Sequence, residues 1–291
     1  MTIRVCHIST VHPLEDVRVF YRECVWLARQ GYMINLVIPT NKSGFVNGVH
    51  VIPLKKAGNR ISRMIFMPWT AMYKALKTKS DIYHYHDPEL LFMGFILRWV
   101  LGKKVVYDIH ESVARQILSK GWIPKSARRL FSLVYSLMEK IFTAGQQLIV
   151  ANEGVVSDYK RKVYLLRNYP ILEQRIQDLH RPIADRGNPP LLVYVGGIWK
   201  NRGGLTYIEL ARTLKGKGID FRMVLIGPYS PKFGEELKAK INQNNLSEEV
   251  ELKGRLDYYT AVEYVADASI GLCLLKPVPN YTTCLATKII E

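Results

Sequence analysis

Leu191-Leu192-Val193-Tyr194-Val195-Gly196-Gly197-Ile198-Trp199-Lys200-Asn201-Arg202-Gly203-Gly204 is the stretch whose reading decides the fold. A run of apolar, β-favouring residues ends in two glycines and crosses a short loop carrying Lys200 and Arg202. It then reaches two more glycines before Leu205-Thr206-Tyr207-Ile208-Glu209-Leu210 takes up a helical rhythm. The order is strand, loop, helix. The first amides of such a helix have no partner within it, and its dipole places partial positive charge there, so the turn favours an anion. Gly196, Gly197 and Gly203 let backbone come close, and Arg202 adds a forked donor suited to phosphate oxygens. The same glycines also suit an ordinary βα corner, so phosphate binding needs support from elsewhere in the chain.

Downstream, the pattern continues as an α/β repeat. It runs through a helix to about 214, a strand over 221–226, a helix over 231–241, a strand over 250–252, a helix over 257–266 and a strand over 269–274. Thr287-Lys288-Ile289-Ile290-Glu291 starts a further helix as the sequence ends, so this second sheet reads as incomplete. Upstream, Tyr169-Pro170, Arg181-Pro182 and Asn188-Pro189-Pro190 punctuate a stretch of weak periodicity, which reads as a linker over 168–190.

Before the linker lies another α/β repeat, residues 1–167. Ile3 to Ile8 reads as a buried parallel strand, and Val17, Phe20, Tyr21, Cys24, Leu27 and Ala28 mark one helix over 17–30 that Gly31 stops. Strands follow at 33–38, 49–52, 81–86, 103–107, 147–151 and 163–166, with a helix over 61–76. Two strand ends carry chemistry: His86-Asp87-Pro88-Glu89 and Asp108-Ile109-His110-Glu111. Ligands of open α/β sheets sit beyond the carboxyl ends of strands, so His86, Asp87, His110 and Glu111 are expected at one crevice. Asp87 before Pro88 reads as the N-cap of the next helix, and His7 as a packed strand residue.

The 291 residues suit about two domains of ordinary size. A formal net charge of +16 points to polyanionic partners. Lys and Arg are spread along the chain, without zinc-finger spacing, an RNP-like motif or a long basic arm, which speaks against nucleic acid. A phosphate-bearing substrate or an anionic membrane surface accounts for the charge. Cys6, Cys24, Cys273 and Cys284 lie singly and read as reduced residues of a chain in a reducing compartment. The first residues enter a strand directly, without a signal-peptide pattern, and Arg98 interrupts the apolar run from Leu90 to Leu101 far short of a span of about 20 residues. The expectation is a cytoplasmic chain, soluble or peripheral on the inner face of the plasma membrane. For that face, Lys120 to Phe131 mixes cations with Trp122 and aliphatics, and Met64 to Trp69 precedes the basic residues Lys74, Lys77 and Lys79.

Six motifs stand in order. They are Val11-His12-Pro13-Leu14-Glu15-Asp16-Val17-Arg18-Val19-Phe20, His86-Asp87-Pro88-Glu89-Leu90, Val106 to Glu111, Tyr194 to Ile198, Leu252-Lys253-Gly254-Arg255 and Thr287 to Glu291. Together they resemble the family 4 retaining glycosyltransferases of the GT-B fold, in a bacterial surface-polysaccharide branch. The resemblance implies two Rossmann-like domains facing a cleft, the second incomplete here. The substrates it implies are a UDP- or GDP-linked sugar as donor and a lipid-linked saccharide as acceptor, with no cofactor besides that donor.

Carried over by residue, the resemblance makes Gly196 and Gly197 the turn at the donor diphosphate, with Lys200, Arg202 and Gly203 beside it. Gly197 stands where the family has an arginine. Glu291, with Lys288 nearby, is similar to the glutamate that holds the donor ribose, and Thr283 stands where a first glutamate is usual. His110 and Glu111 become the catalytic pair near the transferred sugar. Position alone leaves a second role open for His110, pairing with Asp108 or Glu111. The chain has no Asp-x-Asp pair, so a metal-independent departure of the diphosphate is expected. A convergence of His110 and Glu291 on one cleft is also expected. Two alternatives stay open: a nucleotide-sugar epimerase of the same fold, and an inactive, shortened relative that binds nucleotide or a partner.

Overall fold

The computed structural model describes the whole chain except residues 1, 122, 170–173, 180, 183–185, 280, 283–285, 287–288 and 290–291, and the side chains at 60, 174 and 175. Lys288 and Glu291, expected at the donor ribose, therefore lie outside the described residues, as do Thr283 and Cys284. The chain divides into two compact units, 1–168 and 169–291.

In the first unit the strands are β1 (Arg4–Ile8), β2 (Met33–Pro39), β3 (Gly44–Val46), β4 (Val49–Leu54), β5 (Ile82–Tyr85), β6 (Lys104–Ile109), β7 (Gln147–Val150) and β8 (Tyr164–Leu165). They form one sheet in the order β3-β4-β2-β1-β5-β6-β7-β8, parallel except for the β3–β4 hairpin. The order reverses beside β1, the doubly wound arrangement that places ligand sites beyond the carboxyl ends of the central strands. β3 escaped the sequence reading because a three-residue edge strand holding one glycine has no alternation to show.

The expected helix over 17–30 is wound in two ways: Val17–Val25 is a π-helix, which runs into the short α1 (Trp26–Arg29). Asp16 caps it, accepting the amides of Arg18 and Val19 at 2.9 Å each. A π-turn brings residues five apart onto one face, so Arg18 and Glu23 both point at the sheet and both are buried. Helices α2 (Arg60–Ile65) and α3 (Met67–Lys77) replace one expected helix, meeting at Phe66 ahead of Pro68. After β5 come a 3₁₀ turn Pro88–Leu90, α4 (Leu91–Phe95) and a π-turn Ile96–Val100. Past β6, α5 (Val113–Ser119) and the long α6 (Lys125–Phe142) precede β7, and α7 (Glu153–Val156) follows it.

The two faces of this sheet differ. Cys6, Ile8, Tyr83, Tyr85, Tyr107 and Ile109 build a continuous apolar core on one side. On the other, Val5, Leu36, Ile38 and Val51 pack under Val19, Phe20 and Cys24 of the π-helix. His7 pairs in register with His84, and His84 with Val106. By the two-residue period of strands, His86 and Asp108 fall on that same π-helix side.

The second unit contains α8 (Gln174–Gln177) within the expected linker, then β9 (Leu191–Val195), α9 (Gly204–Gly216), β10 (Arg222–Ile226), α10 (Pro231–Gln243), β11 (Val250–Gly254), α11 (Tyr258–Asp267) and β12 (Ile270–Gly271). Its sheet has the order β11-β10-β9-β12 and is parallel throughout among the described residues. The last strand is two residues long where the sequence suggested six. Tyr194, Tyr207, Met223, Leu225 and Leu237 form its main core. No helix of the described residues is long and apolar enough to cross a membrane.

Candidate active site

In the first unit the candidate residues gather where β1, β5 and β6 end. Asp108, fully buried, is the hub. Its Oδ1 accepts from Arg18 Nη2 at 2.7 Å and its Oδ2 from Arg18 Nε at 2.9 Å, a bidentate pair. Oδ2 also lies 2.9 Å from His110 Nε2 and 3.3 Å from His86 Nδ1. Burial works against the charge on Asp108, but His110, His86 and Arg18 outweigh it and hold the carboxyl well below the usual carboxylate range. His110 is thus paired with Asp108, the structural role that its position left open, while its ring stays partly exposed and lies 4.9 Å from that of His12. Glu111, its expected companion, accepts a hydrogen bond from Gln116 of α5.

Asp87 corrects the sequence reading. Its side chain makes no capping bond to the helix it precedes. Instead Oδ2 accepts from Ser9 Oγ at 2.8 Å and from the amides of Thr10 at 2.6 Å and Val11 at 3.3 Å, tying down the loop after β1. A carboxylate satisfies more donors across a sheet end than along a 3₁₀ turn of three residues, and the chain has the loop there to supply them. Thr10 Oγ1 also donates to Glu89 Oε1 at 2.8 Å, which Arg63 approaches at 3.0 Å. His12 bonds Asp16 at 2.9 Å. Burial opposes its protonation, but Asp16 and Asp87 prevail and raise its pKa, and Asp16 falls to about 2 despite its own burial.

The sequence reading missed three partners here. His7, His84 and Glu23 lie against His86 and are all buried. The two-residue spacing of His84 and His86 was visible in the sequence, but Glu23 sat in a presumed 3.6-residue helix, where it would not share a face with Arg18.

The β9–α9 turn of the second unit is built from backbone. Gly196 has φ +142°, and its amide bonds the Ile226 carbonyl at 2.8 Å. A Cβ on Gly227, at the end of β10, would lie 1.9 Å from the Gly196 carbonyl oxygen. Gly203 caps α9 at φ +81°, and a Cβ there would lie 2.1 Å from the Leu274 carbonyl oxygen. A Cβ on Gly197 would fall 2.5 Å from Trp199 Nε1, and its carbonyl accepts from Tyr194 Oη at 2.9 Å. Packing within the unit therefore already accounts for Gly197 and Gly203. Lys200 turns to α10 and pairs with Glu236 at 2.8 Å, both exposed. Arg202 stays on the loop, its Nε donating to Tyr281 Oη at 3.2 Å, and also engages Tyr194.

No protein-family model matches the sequence, and no curated protein matches it. Solved structures do match the fold. Sucrose-phosphate synthase from Thermosynechococcus elongatus gives a TM-score of 0.66 at 16% identity over 96% of this chain and 76% of that one. HepE of Anabaena, solved with UDP and glucose, gives 0.64 at 9% identity over 94% and 74%. WaaG, a glycosyltransferase involved in lipopolysaccharide biosynthesis, gives 0.60 at 13% identity over 94% and 75%. The chain therefore has the GT-B type of α/β fold, with a Rossmann-like sheet in each unit.

Proposed function

We propose that this chain is a retaining glycosyltransferase that moves a sugar from a UDP- or GDP-linked donor to a lipid-linked saccharide in bacterial envelope polysaccharide synthesis. The observation that carries this reading is the likeness of nearly the whole chain to GT-B structures, among them one holding UDP and glucose. The nucleotide diphosphate is assigned to the β9–α9 turn. There Gly196 exposes backbone in a conformation that only glycine adopts readily, and Arg202 is the cation that remains on the loop.

Departure of the nucleoside diphosphate builds negative charge on the leaving phosphate. The Gly204 amide is spent on the Trp199 carbonyl, so the donors assigned to that charge are the Leu205 and Thr206 amides of the first turn of α9 and the Arg202 guanidinium, which stabilise it more in the transition state than in the ground state. Lys200, engaged by Glu236, has the smaller part. His110 is assigned to the transferred sugar, with Asp108 fixing its ring through the 2.9 Å contact at Nε2.

The acceptor side is assigned to a membrane surface. Helix α6 leaves Leu130, Phe131, Leu133, Val134, Leu137, Met138 and Ile141 exposed, with the cations Lys125, Arg129 and Lys140 on the same helix. Such a face suits insertion among anionic headgroups.

Equilibrium titration with UDP and GDP tests the donor assignment. One nucleotide is expected to bind, about tenfold or more weakly in Arg202→Ala, a loss of roughly 1.4 kcal/mol. Absence of binding to both nucleotides by folded protein would defeat the reading. Co-sedimentation with phosphatidylglycerol vesicles tests the membrane assignment, and Leu133→Glu with Leu137→Glu should abolish it.

A further inference from the structure

Against the π-helix side of the first sheet lies a group of side chains that packing does not explain. Glu23 Oε2 sits 3.9 Å from His7 Nδ1, 3.9 Å from His84 Nε2 and 3.9 Å from His86 Nε2, so three imidazoles surround one carboxylate oxygen. His7 Nδ1 and His86 Nε2 are 3.0 Å apart. All four side chains are buried, in a region where an unmatched polar group is costly. Yet neither oxygen of Glu23 accepts a hydrogen bond among the described residues, and His7 Nε2 and His84 Nε2 are also without one. Arg18 Nε comes within 3.2 Å of Glu23 Oε1, but its N–H is directed at Asp108.

We propose that His7, Glu23, His84 and His86 form a buried, four-coordinate site for a divalent ion of the zinc and cobalt class. One ligand atom from each residue lies within 4.8 Å of all the others. Tetrahedral bonds of about 2.0–2.1 Å place ligand atoms roughly 3.3 Å apart. The separations start at 3.0 Å, are 3.9 Å from each imidazole to Glu23 and nowhere exceed 4.8 Å, so side-chain shifts of about an ångström would close the site. Three imidazoles with one carboxylate suit zinc or cobalt better than magnesium or calcium, which prefer oxygen ligands.

A further sign is the partner behind a ligand. His86 turns Nε2 towards Glu23, while Nδ1 faces Asp108 Oδ2 at 3.3 Å, the carboxylate–histidine–metal relay that fixes a ligand's tautomer. Neutral imidazole and ionised carboxylate are the forms that ligate, so binding of the ion is expected to weaken as pH falls. Because all four ligands come from protein, the site is structural in kind. It would lock the π-helix onto β1 and β5, and through Asp108 it would steady His110.

Chelator-treated, tag-free protein dialysed against Co²⁺ and Zn²⁺ provides the test. The expected result is one ion per chain by elemental analysis and an intense tetrahedral Co²⁺ visible spectrum. X-ray absorption of the zinc form should show about three imidazole ligands. Glu23→Gln and His84→Asn should each weaken binding at least tenfold with the far-ultraviolet circular dichroism unchanged, whereas His50→Asn should not. Failure of folded wild-type protein to hold a stoichiometric ion would overturn the proposal, as would a six-coordinate oxygen shell in the absorption data. Undiminished binding in both folded variants would do the same. The wild-type spectra decide the matter even if neither variant folds.

Discussion

At the ends of β1, β5 and β6 the first unit gathers ionisable side chains, whereas at the end of β9 the second unit gathers backbone. Asp108, Arg18, His86 and His110 are held by directional, charge-assisted bonds across three separate segments. Gly196, Gly203 and Gly227 are held by the absence of a side chain, each beside a carbonyl or in a left-handed backbone. The contrast teaches that a site made of missing atoms can be read from a short stretch. A site made of charges needs the fold before its members can be recognised.

Breaking the charged hub should have the largest effect. Asp108→Asn leaves the Arg18 guanidinium buried beside an amide, and loss of one member of a buried pair costs about 3–5 kcal/mol. Urea unfolding should show it as a lower midpoint with an unchanged slope, and a shift under about 1 kcal/mol would show that the hub is not the anchor. The backbone site responds to added atoms instead. Gly203→Ala must move the Leu274 carbonyl and strain a φ of +81°, and about 2 kcal/mol is expected. Gly216→Ala, in the last turn of α9 with nothing within 4 Å, should be neutral or slightly stabilising by thermal melting.

Acid should also separate the two regions. Burial depresses His7 and His84 well below the ordinary 6.5, and takes His86 to about 3. Below 6.5 the unfolded chain therefore binds protons that the folded cluster refuses, so stability falls as pH falls. In the ion-free protein Glu23, raised well above its ordinary 4.5, opposes this by up to one proton. A net of two protons or more gives a slope of about 3 kcal/mol per pH unit between 4.5 and 6.5. A flat profile there would contradict the neutral cluster, and His84→Asn should reduce the slope by about one proton. The smallest effect belongs to Lys200→Ala. Its ion pair with Glu236 is solvent-exposed, so stability should change by under about 0.5 kcal/mol, and UDP or GDP affinity far less than in Arg202→Ala.

Much of the fold was legible in order along the chain, because parallel strands buried on both faces leave long apolar runs and glycines mark the turns between them. The short elements were not: β3 and the two-residue β12 are too brief to show a period. At the site, His110 and its neighbour Asp108 could be named from one strand end, and the turn from Gly196 to Gly204 from another. Asp87 was misassigned because the Asp-Pro pattern is local, whereas its donors, Ser9 and Thr10, come from 78 and 77 residues away.

The sequence by itself determined the α/β repeat, the glycine turn with Arg202 and the strand ends that bear His86 and His110, since each depends on neighbours a few residues apart. Tertiary structure alone decided that residues 17–25 wind as a π-helix, turning Arg18 and Glu23 onto one face. It alone decided that His7 of β1, His84 of β5 and His86 just past β5 surround Glu23, and that Lys200 turns away to Glu236. Those outcomes depend on strand register, helix pitch and burial, which arise only when distant segments pack against each other.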